Sequence, residues 1–121
     1  MIPLQAFTTG ALFKVMEWMK PHLSQLLLDY PLLKEDKVVF LDAGCGIHLP
    51  GMVAALSQGW QAIGVEVEEH RICFAAEAVL DLLLTPFGAN LDLGLFHKDI
   101  SRPMNLSGVH VIFCWDKVRT T

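Results

Sequence analysis

Cationic residues are scarce in this 121-residue chain, which limits the partners that it can bind directly. Nine lysines and arginines are scattered among thirteen acids, and the net charge is −4. Contacts with a phosphate backbone need clustered cations. Direct nucleic-acid binding by this segment alone is therefore not expected, and a basic partner is electrostatically easier.

The sequence also gives no reason to expect a membrane segment, a secretory leader or a metal-binding cysteine pattern. Its apolar runs are broken by charge and stay short of the roughly 18–20 residues that a membrane helix needs. The opening residues MIPLQAFTTG have neither a basic flank nor a signal-peptide core. Cys45, Cys73 and Cys114 are odd in number and far apart. This favours reduced thiols in an intracellular protein, with no metal site.

The remaining composition and its periodicity indicate one globular α/β domain. Hydrophobic residues make up 53% of the chain and charged residues 18%. Apolar spacing predicts a helix over 11–30, in which Pro21 either introduces a kink or begins a second helix. Trp18, Trp60, Met16 and Met19 are expected in the core. Further helices are predicted over 50–58 and 68–84, and strands over 38–41, 61–66, 93–97 and 109–115. Alternating strands and helices predict right-handed crossovers and a mainly parallel sheet.

The stretch VVFLDAGCGIHLPG, residues 38–51, runs from a buried strand into an acid and two glycines. We call residues 44–48 the glycine turn. Gly44 and Gly46 permit backbone conformations that other residues avoid, and they let a ligand approach the peptide. A dinucleotide site would need G-x-G-x-x-G, but Leu49 stands at the third glycine position. Asp42 would also repel a pyrophosphate, so an NAD-linked oxidoreductase is disfavoured and a cationic ligand is favoured.

LDAGCGI resembles the first motif of class I S-adenosylmethionine-dependent methyltransferases, D/E-x-G-x-G at the first strand–helix turn. GVEVEE (64–69) is similar to their second motif, and HKDIS (97–101) to their third. The resemblance implies that S-adenosylmethionine lies against the glycine turn, that Glu66 accepts hydrogen bonds from both ribose hydroxyls, and that Asp99 lies beside the adenine amine. The cofactor-binding residues implied are Asp42, Gly44, Cys45, Gly46, Glu66, Val67, Asp99 and Ile100. Cys45 is expected to fill the turn as a small side chain and not to act as a nucleophile.

Within that superfamily, the chain most resembles the Dot1-like histone H3 lysine methyltransferases, over roughly residues 7–116 and most specifically over 39–70. TTGALFKVMEWM (8–19) is similar to the loop and helix that this group places over the methionine end of the cofactor. The resemblance implies a protein lysine methyltransferase with a histone or nucleosome partner and a nuclear location. Trp115 and Asp116 stand where the group has paired asparagines. His48 stands at a third glycine, where its ring either covers the ligand or fills the turn.

The class I fold has a seven-stranded sheet, whereas this sequence supplies about four strands. We therefore expect a partial Rossmann-like three-layer α/β sandwich without its C-terminal strands. Residues 1–37 would form a helical segment that packs on a partial S-adenosylmethionine-binding domain over 38–121. No catalytic residue is assigned, because methyl transfer from a sulfonium often needs no base. The alternatives are a non-catalytic S-adenosylmethionine-binding or pseudo-enzyme domain, and a methyltransferase that acts on RNA or a small molecule.

Overall fold

The computed structural model describes residues 8–29 and 38–114. In chain order its elements are α1 (Thr9–Asp29), β1 (Val39–Ala43), α2 (Leu49–Gln58), β2 (Gln61–Glu66), α3 (Glu69–Leu83), β3 (Leu93–His97) and β4 (Val111–Cys114). The four strands form one sheet in the order β3-β2-β1-β4, and every neighbouring pair is parallel. The predicted partial Rossmann-like α/β fold is thereby confirmed. Trp115 and Asp116 lie outside the described residues.

Local sequence signals explain where α2 begins and ends. Pro50 lies in the first turn of α2, where its missing N–H is not needed by the helix. Gly59 ends the helix in the left-handed conformation, with φ +70°. Its N–H donates to the carbonyl of Ala55 at 3.0 Å, which satisfies one of the last carbonyls. Two residues later Gln61 begins β2, so the short connection fixes the register of β2 beside β1.

One hydrophobic core lies between the sheet and helices α1 and α2. Phe40 of β1 is completely buried, and its ring centroid lies 6.1 Å from those of both Trp60 and Phe113. These rings fill the space that the helices cover, and the burial of Trp60 agrees with its prediction as a core residue. The buried members of this core are Leu12, Met16, Leu23, Phe40, Val53, Ala54, Ala55, Trp60 and Ala62.

Helix α1 corrects one expectation and excludes one of two alternatives. Trp18 is 67% exposed and was wrongly predicted in the core. It lies two residues from the buried Met16, and that separation turns a side chain to the opposite side of a helix. The structure also shows one helix that includes Pro21 and no second helix that starts there. Within the described residues, no helix is long and apolar enough to cross a bilayer.

Candidate functional site

The glycine turn joins β1 to α2 through alternating left-handed residues. Gly44, Gly46 and His48 have φ of +69°, +55° and +69°. Glycine adopts this conformation without strain, whereas other L-residues pay about 1–2 kcal/mol. A Cβ added at Gly46 would meet no atom within 4 Å, and one at Gly44 would meet only Ile100 Cδ1, at 3.8 Å. The turn therefore leaves open space beside its two glycines.

Glu66, the last residue of β2, reaches back to the glycine turn. Its Oε1 accepts a hydrogen bond from the N–H of Gly46 at 2.8 Å, and its Oε2 accepts one from the N–H of Glu68 at 2.9 Å. The carboxylate is thus held between the turns that follow two neighbouring parallel strands, where open α/β sheets bind their ligands. A carboxylate offers about four lone-pair sites, so each oxygen retains capacity for a second donor.

Asp42 lies in β1, two residues before the glycine turn, and like Glu66 it is buried. Its Oδ2 lies 3.1 Å from His48 Nδ1, and the carboxylate accepts a further hydrogen bond from the N–H of Gly51. Burial raises the pKa of Asp42, and the hydrogen bond from His48 offsets part of that shift. The structure therefore places Asp42 beside Glu66 in the site but gives it partners within the protein.

The His48 ring fills the underside of the turn. The residue has no exposed surface, and its ring lies between α2 and β2. A Cβ added at Gly64 would lie 2.7 Å from Nδ1, and one added at Gly51 would lie 2.5 Å from Nδ1 and overlap Cε1. Of the two roles left open by the sequence, the structure thus shows filling of the turn. Its Nε2 has no hydrogen-bond partner among the described residues.

Cys45 lies between the two glycines, with its side chain buried against the sheet. Its N–H donates to the carbonyl of Val65 at 2.9 Å, which ties the turn to β2. Burial, together with the nearby carboxylates of Asp42 and Glu66, raises the pKa of the thiol to about 12. A thiol at that pKa is protonated at neutral pH, so it is not a nucleophile. No cluster of metal-binding side chains occurs within residues 8–29 and 38–114.

The loop after β3 supplies the third predicted acid. Asp99 Oδ1 accepts hydrogen bonds from the N–H of Ser101 at 2.9 Å and from its hydroxyl at 2.7 Å. These bonds lower the pKa of Asp99, which keeps it ionised at neutral pH. Beside it, Ile100 is 42% exposed, and Val67 after β2 is 53% exposed. Two apolar side chains thus stand in solvent at the strand ends.

Ile47 is a residue of this region that the sequence did not single out. It lies between Gly46 and His48 and exposes half of its surface. The glycine turn therefore carries an unburied aliphatic side chain next to its open space. The signal that could have identified it is an aliphatic residue directly after the second glycine, between a glycine and a histidine.

The start of α1 has contacts within the helix and with α2. Thr8 caps the helix, because its hydroxyl accepts a hydrogen bond from the N–H of Ala11 at 3.1 Å. Thr9 and Gly10 instead border an apolar groove of about 330 Å³. The other residues of this groove are Phe13, Val53, Leu56 and Ser57, so it follows the later turns of α2.

No protein-family model and no curated protein matches the chain. Among solved structures, it is similar to an RNA methyltransferase from Salinibacter ruber in complex with S-adenosyl-L-homocysteine, with a TM-score of 0.54 and 18% identity. That match covers 78% of this chain and 57% of the other, so the chain spans little more than half of that protein's length. The likeness shows a shared fold.

Two further solved structures are similar at lower scores. The plantazolicin methyltransferase BpumL has a TM-score of 0.47 and 16% identity, over 79% of this chain and 32% of its own. A SAM-dependent methyltransferase from Aquifex aeolicus has a TM-score of 0.40 and 18% identity, over 78% of this chain and 48% of its own.

Proposed function

We propose that this chain is the S-adenosylmethionine-binding part of a methyltransferase. The observation that carries the proposal is the 2.8 Å hydrogen bond between Gly46 N–H and Glu66 Oε1, beside open space over the glycine turn. It joins an acid at the end of β2 to a bare peptide at the end of β1. The shared fold with the Salinibacter ruber protein, which was crystallised with S-adenosyl-L-homocysteine, supports the same assignment.

The residues at the strand ends fit an adenosyl group. In this proposal Glu66 accepts from the ribose hydroxyls with its remaining lone pairs. The ionised Asp99 would accept from the adenine amine, and the exposed side chains of Val67 and Ile100 would offer apolar surface to the purine. Burying such apolar surface against a ring is favourable by about 25 cal/mol per Å². When bound, S-adenosylmethionine supplies an electrophilic methyl group on a sulfonium.

The described residues contribute binding and orientation to such a reaction. Glu66 and the glycine turn would fix the donor in position. Cys45 is not proposed as a covalent nucleophile, because burial raises the pKa of its thiol to about 12. We therefore assign no catalytic residue among the described residues.

We further propose that residues 38–121 are one part of a larger cofactor domain, on which residues 1–37 pack as a helical segment. In support, β4 is an edge strand of the described sheet and its Ile112 is exposed. Open N–H and C=O groups along an apolar edge favour pairing with another strand. The contact of α1 with α2 supports the packing of the first segment.

The identity of the methyl acceptor is the more specific part of the proposal. The sequence resemblance over 39–70 favours a Dot1-like protein lysine methyltransferase, with histone or nucleosome as partner and the nucleus as its place of action. RNA and small molecules are the other acceptors to be tested. A non-catalytic module that binds S-adenosylmethionine is the competing function, since it would use the same residues for binding alone.

Calorimetry with S-adenosylhomocysteine tests the cofactor assignment. The 121-residue chain should bind the ligand, and Glu66→Gln should weaken binding about tenfold or more, because hydrogen bonds to a charged acceptor contribute about 1.5–3 kcal/mol. Glu77→Gln, at an exposed position on α3, is the matched control and should bind like the wild type. Absence of heat at millimolar ligand, with circular dichroism showing a folded chain, would refute the assignment.

A radiolabelled methyl assay then separates an enzyme from a binding module. The chain, or a longer form that completes the sheet, is incubated with labelled S-adenosylmethionine and with histones, RNA or a metabolite mixture. Label on histone lysine supports the Dot1-like proposal, and label on RNA or a small molecule replaces it. Binding without transfer to any acceptor supports the non-catalytic alternative.

A further inference from the structure

His48 combines three features that no other described residue shares. Among residues 8–29 and 38–114 it is the only non-glycine residue with positive φ. It has no exposed surface. Its side chain is nevertheless polar and titratable, and it is not an adenosyl contact in the function proposed above. A histidine in this conformation is strained unless its surroundings hold it there.

Contacts from three elements hold His48 in place. Asp42 Oδ2 of β1 lies 3.1 Å from its Nδ1, and Gly64 of β2 and Gly51 of α2 lie close to its ring. The backbone of His48 contributes as well, because its N–H donates to Cys45 O at 2.8 Å and its carbonyl accepts from Met52 N–H at 3.0 Å. The residue therefore fixes where the glycine turn ends and where α2 begins.

The ionisable groups near the ring determine which of its two nitrogens donates a hydrogen bond. Asp42 contacts it directly, while Glu66 and the Cys45 thiol are the other ionisable groups that interact with Asp42. When Asp42 is ionised, its carboxylate only accepts hydrogen bonds, and Nδ1 is then the donor of this bond. The other ring nitrogen, Nε2, has no hydrogen-bond partner among the described residues.

We propose that His48 is a positioning residue of the cofactor site, a proposal that rests on the function proposed above. Its Nδ1–H···Asp42 bond holds the third left-handed position of the glycine turn, which in turn directs the N–H of Gly46 to Glu66. His48 thus acts through the turn and does not touch the ligand. Asp42 serves the same site by anchoring the ring.

Three forms of the chain test this role. His48→Asn tolerates positive φ and places an amide donor where Nδ1 lies, so it should keep the affinity for S-adenosylhomocysteine within about threefold. His48→Gly accepts the backbone conformation but has no donor, and it should lose about tenfold in affinity. Wild-type affinity in His48→Gly would overturn the proposal, because a purely conformational role is one that glycine fills.

Two measurements without ligand keep this proposal separate from the proposed function. The N–H of Gly46 should exchange with solvent at least about tenfold faster in His48→Gly than in the wild type, and His48→Asn should restore its protection. Unchanged exchange in His48→Gly would overturn the proposal even if no form binds the ligand. If His48→Gly does not fold, a nitrogen–proton correlation spectrum of the wild-type imidazole decides: a proton on Nδ1 supports the role, and an Nδ1 without a proton refutes it.

Discussion

Gly51→Ala should destabilise the fold although it places a better helix former inside α2. In an unobstructed helix, replacing glycine by alanine stabilises by about 1 kcal/mol. Here the new Cβ would lie 2.5 Å from His48 Nδ1 and overlap Cε1. The ring cannot move to the other side, because a Cβ position at Gly64 is only 2.7 Å from Nδ1 and the residue is fully buried.

The size of the effect follows from these two opposing terms. Forcing an extra methyl into a packed interior destabilises by up to about 3 kcal/mol, and the better helix propensity of alanine stabilises by about 1 kcal/mol. We therefore expect the free energy of unfolding to fall by about 2 kcal/mol. In a His48→Gly background the obstruction is gone, and the same change should stabilise by about 1 kcal/mol. The sign of the substitution should therefore reverse between the two backgrounds.

Urea unfolding of the four forms, followed by circular dichroism, measures this double-mutant cycle as a coupling free energy of about 3 kcal/mol. Gly10→Ala in α1 is the matched control, because its new methyl would meet nothing within 4 Å and should not destabilise in either background. An equal loss from Gly51→Ala with and without the histidine ring would refute the idea that His48 occupies this space.

Two further predictions concern the ionisable groups of the site. Ellman's reagent at mildly alkaline pH should quickly label the two exposed thiols of the native chain, Cys73 and Cys114. The buried Cys45, whose thiol has a pKa of about 12, should react only on unfolding, and three fast thiols would contradict the structure. Because burial raises the pKa of Asp42 above 3.8, the folded chain binds the carboxyl proton of Asp42 more tightly than the unfolded chain does. The free energy of unfolding should therefore fall as the pH rises from about 4 through the higher pKa of the folded state. Asp42→Asn should reduce that decline in urea titrations across this range, and a decline as steep as in the wild type would show that other groups cause it.

Local sequence signals were sufficient for most of the architecture. Gly59 after an apolar helix marks the end of α2, and the strands predicted over 38–41 and 61–66 are found at 39–43 and 61–66. These features depend on neighbours within a few residues, which the sequence displays directly. Trp18 shows the limit of this reasoning, since nearly every turn of α1 carries apolar residues and its pattern does not identify the buried side.

The site was predictable in part for the same reason. The glycines at 44 and 46 and the acid at the end of β2 are local signals, and the structure brings Gly46 and Glu66 within hydrogen-bond distance. The position of the His48 ring was not predictable, because it depends on Gly64, which is 16 residues away in sequence and directly beside the ring in space. A glycine in the middle of a strand is a signal of close approach, but it does not name the group that approaches.

The space around the His48 ring also constrains how this sequence can evolve. A histidine at position 48 is acceptable only where positions 51 and 64 are already glycine, so it cannot have preceded them without disruption. Once present, it prevents either glycine from being exchanged for a larger residue. Retention of the ring is therefore expected to keep both glycines invariant among descendants of this chain. Loss of the ring would release Gly51 from selection, whereas a Cβ at position 64 would still lie 2.9 Å from Cys45 Sγ.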